Sequence, residues 1–228
     1  MFPIGDDRVE GGSTAMVVLG LIALNVLMFF LELSQPSEGA LQSFIQAWGV
    51  VPREYTTATD LPPTIPFPFW TTLFTSMFLH GGWMHLAGNM LYLWIFGDNL
   101  ESVMGPVRFA IFYFACGIAA SFAHIAFGGD SSMPAVGASG AISGVLGGYL
   151  VLFPRNRVRV LTRGGIAAVP AIVVLGFWIL IQMVNGVGSL ANTSETGGGV
   201  AYMAHIGGFV AGIVLVKLMA SSPRRVLA

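Results

Sequence analysis

Ser139 stands between glycines in Gly137-Ala-Ser-Gly140, at the mouth of an apolar stretch that runs to Phe153, just before Pro154. His205 opens another such stretch, Ala201-Tyr-Met-Ala-His205-Ile-Gly-Gly208-Phe-Val-Ala-Gly212. A hydroxyl that meets an imidazole at hydrogen-bond distance can become a nucleophile, because the ring takes its proton. A lone serine at a helix start is more commonly an N-cap, so the chemical reading needs further reasons. One is that Gly137 and Gly140 let other backbone or a substrate approach closely. No Asp or Glu adjoins His205 in sequence, which makes a Ser139–His205 dyad the economical arrangement. A third constellation is His80-Gly-Gly-Trp-Met-His85-Leu-Ala-Gly-Asn89. His85 and Asn89 are spaced i, i+4 and share one helix face. Each alone reads as an interhelical hydrogen bond, but three such groups in ten residues favour a site. Zinc chemistry is not indicated, since no His-Glu-x-x-His occurs, and nothing calls for a metal or another cofactor.

The elements that must position these groups are apolar. The 228 residues are 55% hydrophobic and 9% charged, a composition foreign to soluble domains. Hydrophobic runs at 14–33, 84–96, 107–127, 139–153, 166–184 and 200–219 predict an all-α membrane protein, a bundle of six transmembrane helices with the second extended toward Met104. The fourth run has 15 residues from Ser139 to Phe153, roughly 22 Å of helix against a hydrocarbon core of roughly 30 Å. This short fourth helix must therefore start inside the membrane, and the chain before Ser139 should line a wet pocket. His205 lies 14 steps from Met219, about 21 Å, so serine and histidine reach the same depth. Gly208 and Gly212 form a small-xxx-small face on the last helix, and the fourth helix, with its own glycines, is the natural partner.

Residues 14–220 form the predicted membrane domain, with polar tails at 1–13 and 221–228, the first expected to be disordered. With a cytoplasmic N-terminus, nine of the ten basic residues face the cytoplasm and only Arg53 lies outside. Both termini are then cytoplasmic, and the cell (inner) membrane is the expected location. The external connection 34–69 contains a helical pattern at 40–48 suited to the outer interface, then prolines that keep the chain extended into Phe69-Trp70. Asn25 reads as interhelical glue, His124 as interfacial, and Glu101 as a cap or a partner of Arg108. Residues 155–163 read as a cytoplasmic turn and 186–199 as a mobile outer loop. The only cysteine, Cys116, lies in the third run and excludes intrachain disulfides. A net charge of −1 gives no argument for nucleic acid.

With these motifs in order on the second, fourth and sixth helices, the chain resembles the rhomboid family of intramembrane serine proteases from about Trp70 to Lys217. The resemblance implies that Ser139 is the nucleophile and His205 the general base. It further implies that His85, Asn89 and the backbone N–H of Ser139 form the oxyanion hole, and that His80 and Glu101 are structural. The implied activity is hydrolysis of a peptide bond in or beside a transmembrane segment, with membrane proteins of the bilayer as substrates. Two positions depart from the common pattern: Ser143 stands where many members carry an aromatic residue, and Thr71 follows Trp70 where an Arg is frequent. Alternatives are an inactive rhomboid-like protein that binds membrane clients, which would be expected to lose Ser139 or His205, and a small transporter using His85, Asn89 and His205, for which no internal repeat is evident.

Overall fold

The computed structural model describes residues 2–8, 14–191 and 202–220. A short strand β1 (Phe2–Asp6) precedes α1 (Met16–Leu33), α2 (Glu38–Trp48), α3 (Pro52–Thr57) and α4 (Thr72–Thr75). There follow α5 (Trp83–Met104), α6 (Pro106–Gly128), α7 (Ser139–Leu152), the strands β2 (Arg157–Thr162) and β3 (Gly165–Pro170), α8 (Ala171–Ala191) and α9 (Tyr202–Met219). Among the described residues, α1, α6, α8 and α9 are long and apolar enough to cross a membrane. Helix α5 has 22 residues but carries Asp98 and Glu101 near its end, and α7 has 14.

Helix α7 is the centre of the bundle. It packs against α5, α6 and α9, and every residue from Gly140 to Tyr149 is buried. The contact with α9 is backbone on backbone: a Cβ on Gly208 would lie 2.1 Å from the carbonyl oxygen of Gly140, and one on Gly212 would lie 2.0 Å from that of Gly144. Only glycine permits that approach. Phe96 and Leu100 of α5 and Phe109, Phe112 and Tyr113 of α6 fill the remaining space, all fully buried.

Carboxylates tie both ends of α1 to this centre. No side chain of its own caps the helix; Glu101 of α5 accepts the N–H groups of Val17 at 3.0 Å and Val18 at 2.9 Å. At the other end Glu32 accepts the N–H of His80 at 3.0 and 3.2 Å. Asn25, expected to bridge helices, instead donates to Leu21 O of its own helix at 2.8 Å. The i−4 carbonyl lies within reach of its short side chain, and this satisfies its amide hydrogen locally.

The strands and the helix after them depart from expectation. Residues 2–6 are not a disordered tail: β1 pairs antiparallel with β2, which pairs antiparallel with β3. The predicted turn at 155–163 is largely strand, because Arg157-Val-Arg-Val160 alternates polar and apolar residues and buries Val158 and Val160. Consequently α8 begins at Ala171, five residues after the predicted start at Ile166, and runs on through Ala191. Residues 186–191 of the predicted outer loop are helical, whereas 192–199 and the tail 221–228 lie outside the described residues. In the external segment Ser37 caps α2, its hydroxyl accepting Ala40 N–H at 3.2 Å; Phe69-Trp70, expected to be reached as extended chain, opens a short helical turn, and further short turns follow to Phe78.

Candidate active site

Ser139 is the first residue of α7, and the N-cap position is Ala138. The hydroxyl is therefore not spent as a cap. It lies 2.9 Å from Nε2 of His205, and the ring's other nitrogen, Nδ1, lies 2.8 Å from Oε1 of Gln182. His205 is buried, three residues before Gly208, so the backbone contact of α7 with α9 brings the two side chains together. The chain enters α7 through Gly137, whose φ of 120° suits glycine and strains other residues. Its N–H donates to Ser76 O at 2.8 Å, and Ala135 pairs with Val50 of the external segment. The approach to Ser139 is thus pinned from two sides.

His85 and Asn89 converge on Gly137. A Cβ on that glycine would lie 2.8 Å from Nε2 and Cε1 of His85 and 3.6 Å from Nδ2 of Asn89. The N–H of Gly81 donates to Nδ1 of His85 at 3.4 Å, so in the neutral ring the hydrogen sits on Nε2, the nitrogen beside Gly137. Asn89 Nδ2 is buried and has no hydrogen-bond partner among the described residues. Two N–H donors are accordingly directed at the entrance to α7, one of them free. His80 packs edge-on to His85 with ring centroids 5.1 Å apart. Burial, reinforced by the neighbouring His85, lowers its pKa to about 4, so it is neutral at physiological pH.

A cavity of about 40 Å³ opens beside these groups, lined by Ser139, Gly137, Ala141, Ser121, His124 and Ala204 among others. It has room for a few water molecules. His124, read from the sequence as interfacial, also lines this cavity, since α6 packs along both α7 and α9. Ser143 turns its hydroxyl back to Ser139 O at 2.6 Å. Among the described residues no group of three His, Cys, Asp or Glu side chains could hold a metal ion. Sequence reasoning overlooked Gln182 and Trp178, whose ring lies 5.9 Å from that of His205. The available signal was Gln182 within the apolar run of α8, which also carries Asn185 and Ser189, since a polar group at membrane depth is a candidate for function.

Residues 68–222 match the family model of the Rhomboid domain. The chain belongs to the rhomboid family. It is 34% identical over 193 residues to Rhomboid protease GluP of Bacillus subtilis, covering 84% of this chain and 32% of that protein. It is 28% identical over 207 residues to Rhomboid protein 1, mitochondrial, of Saccharomyces cerevisiae, covering 87% and 51%. It is 27% identical over 164 residues to Rhomboid-like protein 11, chloroplastic, of Arabidopsis thaliana, covering 69% and 55%. The chain spans a third to somewhat over half the length of these relatives. With four helices long and apolar enough to cross a membrane among the described residues, and a Rhomboid domain, this rhomboid is an integral membrane protein.

Proposed function

We propose that this rhomboid is an intramembrane serine endopeptidase that cleaves peptide bonds in or next to transmembrane segments. The observation that carries the reading is the 2.9 Å contact of Ser139 Oγ with His205 Nε2. His205 accepts the hydroxyl proton as Oγ bonds to the scissile carbonyl carbon, and returns it to the leaving amine as the C–N bond breaks. The oxyanion receives hydrogen bonds from His85 Nε2, Asn89 Nδ2 and the N–H of Ser139, whose charge stabilisation is strongest where water is excluded. Water from the adjoining cavity then hydrolyses the ester on Ser139, with His205 as base once more. His80 and Glu101 serve structurally, through the ties to α1 described above.

In this reading α1, α5, α6, α7, α8 and α9 make up a six-helix membrane bundle, α7 starting inside the bilayer. Its 14 residues give about 21 Å, too little to span the core. The pairing of β1 with the arginine-bearing β2 supports a common, cytoplasmic side for the N-terminus and the α7–α8 connection. The last described residue of α9, Met219, is then also cytoplasmic, in a cell (inner) membrane.

The reading is tested with a fluorophosphonate probe and a panel of single-span substrates in liposomes. Ser139 should be labelled, Ser139→Ala should abolish both labelling and cleavage, and His205→Ala should suppress both. Equal labelling of Ser139→Ala, or modification of Ser143, would overturn it. Client binding without cleavage by the wild type would instead favour an inactive member.

A further inference from the structure

The side of His205 that faces away from Ser139 is held by α8. Oε1 of Gln182 lies 2.8 Å from Nδ1, and Gln182 is only 8% exposed. An amide oxygen can only accept, so the ring hydrogen sits on Nδ1 and the lone pair of Nε2 faces the serine hydroxyl. The amide is itself oriented, since its nitrogen donates to Trp178 O, one turn earlier, at 3.5 Å. Trp178 also lays its ring against the imidazole, with centroids 5.9 Å apart at 39°, and against Phe209 at 6.1 Å. Gln182 and Trp178 are spaced i, i+4, so one face of α8 grips the imidazole by its edge and its plane. Ser143 gives no such support, because its hydroxyl is turned to its own helix.

We propose that Gln182 is a positioning residue that fixes the Nδ1–H tautomer of His205, with Trp178 bracing the ring, so that α8 completes a Ser139–His205–Gln182 relay. The proposal rests on the reading of His205 as general base. Without the amide oxygen, a buried Nδ1–H has no acceptor, and the ring is free to carry its hydrogen on Nε2. That tautomer presents N–H to Ser139 and cannot take its proton. A neutral amide supplies orientation but no negative charge for the imidazolium, so its contribution should fall below that of a buried carboxylate.

The test uses the full chain in liposomes. Gln182→Met keeps length and packing but removes the acceptor, and Gln182→Glu keeps an acceptor oxygen. For Gln182→Met we expect kcat to fall about ten- to a hundredfold with KM and thermal midpoint unchanged, and for Gln182→Glu to stay within about threefold of the wild type. Spectra of protein labelled with 15N-histidine, assigned through His205→Ala, should show Nδ1 protonated in the wild type and a tautomer mixture in Gln182→Met. This readout needs no turnover, so it tests Gln182 even if the wild type cleaves nothing. An unchanged kcat and tautomer in Gln182→Met would overturn the proposal. An equal fall in both variants with a lowered thermal midpoint would overturn it in favour of simple packing.

Discussion

Replacing Gly208 by alanine tests whether backbone contact between α7 and α9 sets the geometry of the proposed dyad. The added Cβ would lie 2.1 Å from Gly140 O, about 1.3 Å short of the 3.4 Å at which ordinary van der Waals contact begins. The obstacle is backbone, so no side chain can rotate away; the helices must separate or bend by about that amount, at a cost of about 1–3 kcal/mol. Gly140 adjoins Ser139, and Gly208 is one turn from His205. A displacement of that size takes a 2.9 Å hydrogen bond beyond useful length unless both side chains follow. Misplacement of reacting groups by about 1 Å can cost about a hundredfold in rate. We therefore expect Gly208→Ala to lower kcat/KM about a hundredfold against a single-span substrate, with a parallel loss in fluorophosphonate labelling rate and a lower thermal midpoint. Gly176→Ala in α8 is the control: its Cβ would meet nothing within 4 Å, and removing a helical glycine is worth roughly 0.5–1 kcal/mol. A Gly208→Ala protein that labels and cleaves like the wild type would refute the claim that this contact positions the pair.

Further outcomes follow from the neighbouring groups. Asn89→Ala should cut kcat about 10²–10³-fold with an unchanged thermal midpoint, as loss of an oxyanion donor does, whereas His85→Ala should lower both kcat and midpoint because its ring also packs on His80; normal turnover in Asn89→Ala would sink that assignment. Glu101→Ala should destabilise the fold by about 1–2 kcal/mol through the uncapped N-terminus of α1, seen as a lower midpoint in detergent, and an unchanged midpoint would show the cap to be dispensable. Burial pushes the Asp6 carboxyl up to about 7, opposed by hydrogen bonds from Tyr149 and Asn99. A carboxyl raised in the folded state contributes stability that is complete below its ordinary value of 3.8 and is lost as pH rises through about 7. Midpoints of the wild type should thus fall between about pH 4 and 7 and Asp6→Asn should flatten that slope; identical slopes would exclude Asp6 as the titrating group.

What was legible in the sequence is what leaves a local trace. Glycines four apart on the last apolar run specify close packing whatever the partner, and the shortness of the fourth run brings Ser139 to the depth of His205. The spacing of His85 and Asn89 likewise puts them on one helix face without any tertiary information. The ties that brace this arrangement left no such trace. Glu101 meets the first turn of α1 across more than eighty residues, and Glu32 meets His80 across 48. A carboxylate that caps a distant backbone N–H has the same local pattern as one that faces solvent. β1 has five residues, too few for periodicity to declare a strand, and its partner β2 lies beyond the long helices α1, α5 and α6 and the short α7. The arginines of β2 mark a charged connection between helices, and four residues of alternation with valine are too few to separate a strand from a turn.

The supports of the candidate site divide into two sets with different exposure to disturbance. Ser139 is carried by the buried helix α7 and His85 and Asn89 by α5, which Glu101 ties to α1 while Glu32 holds His80 just ahead of it. His205 is carried by α9, locked to α7 through glycine, yet its ring is oriented from α8, a helix whose Phe177, Leu180, Val184 and Val187 point outward and remain exposed. Apolar residues exposed on a membrane helix face lipid, and lipid gives way to another transmembrane segment at little cost, since acyl chains and apolar side chains are equivalent neighbours. On the proposed reading, a substrate segment that displaces α8 would move Gln182 and Trp178 away from His205, while Ser139, His85 and Asn89 are carried by other helices. In such an arrangement the orientation of the base, more than that of the nucleophile, is what an entering helix can change.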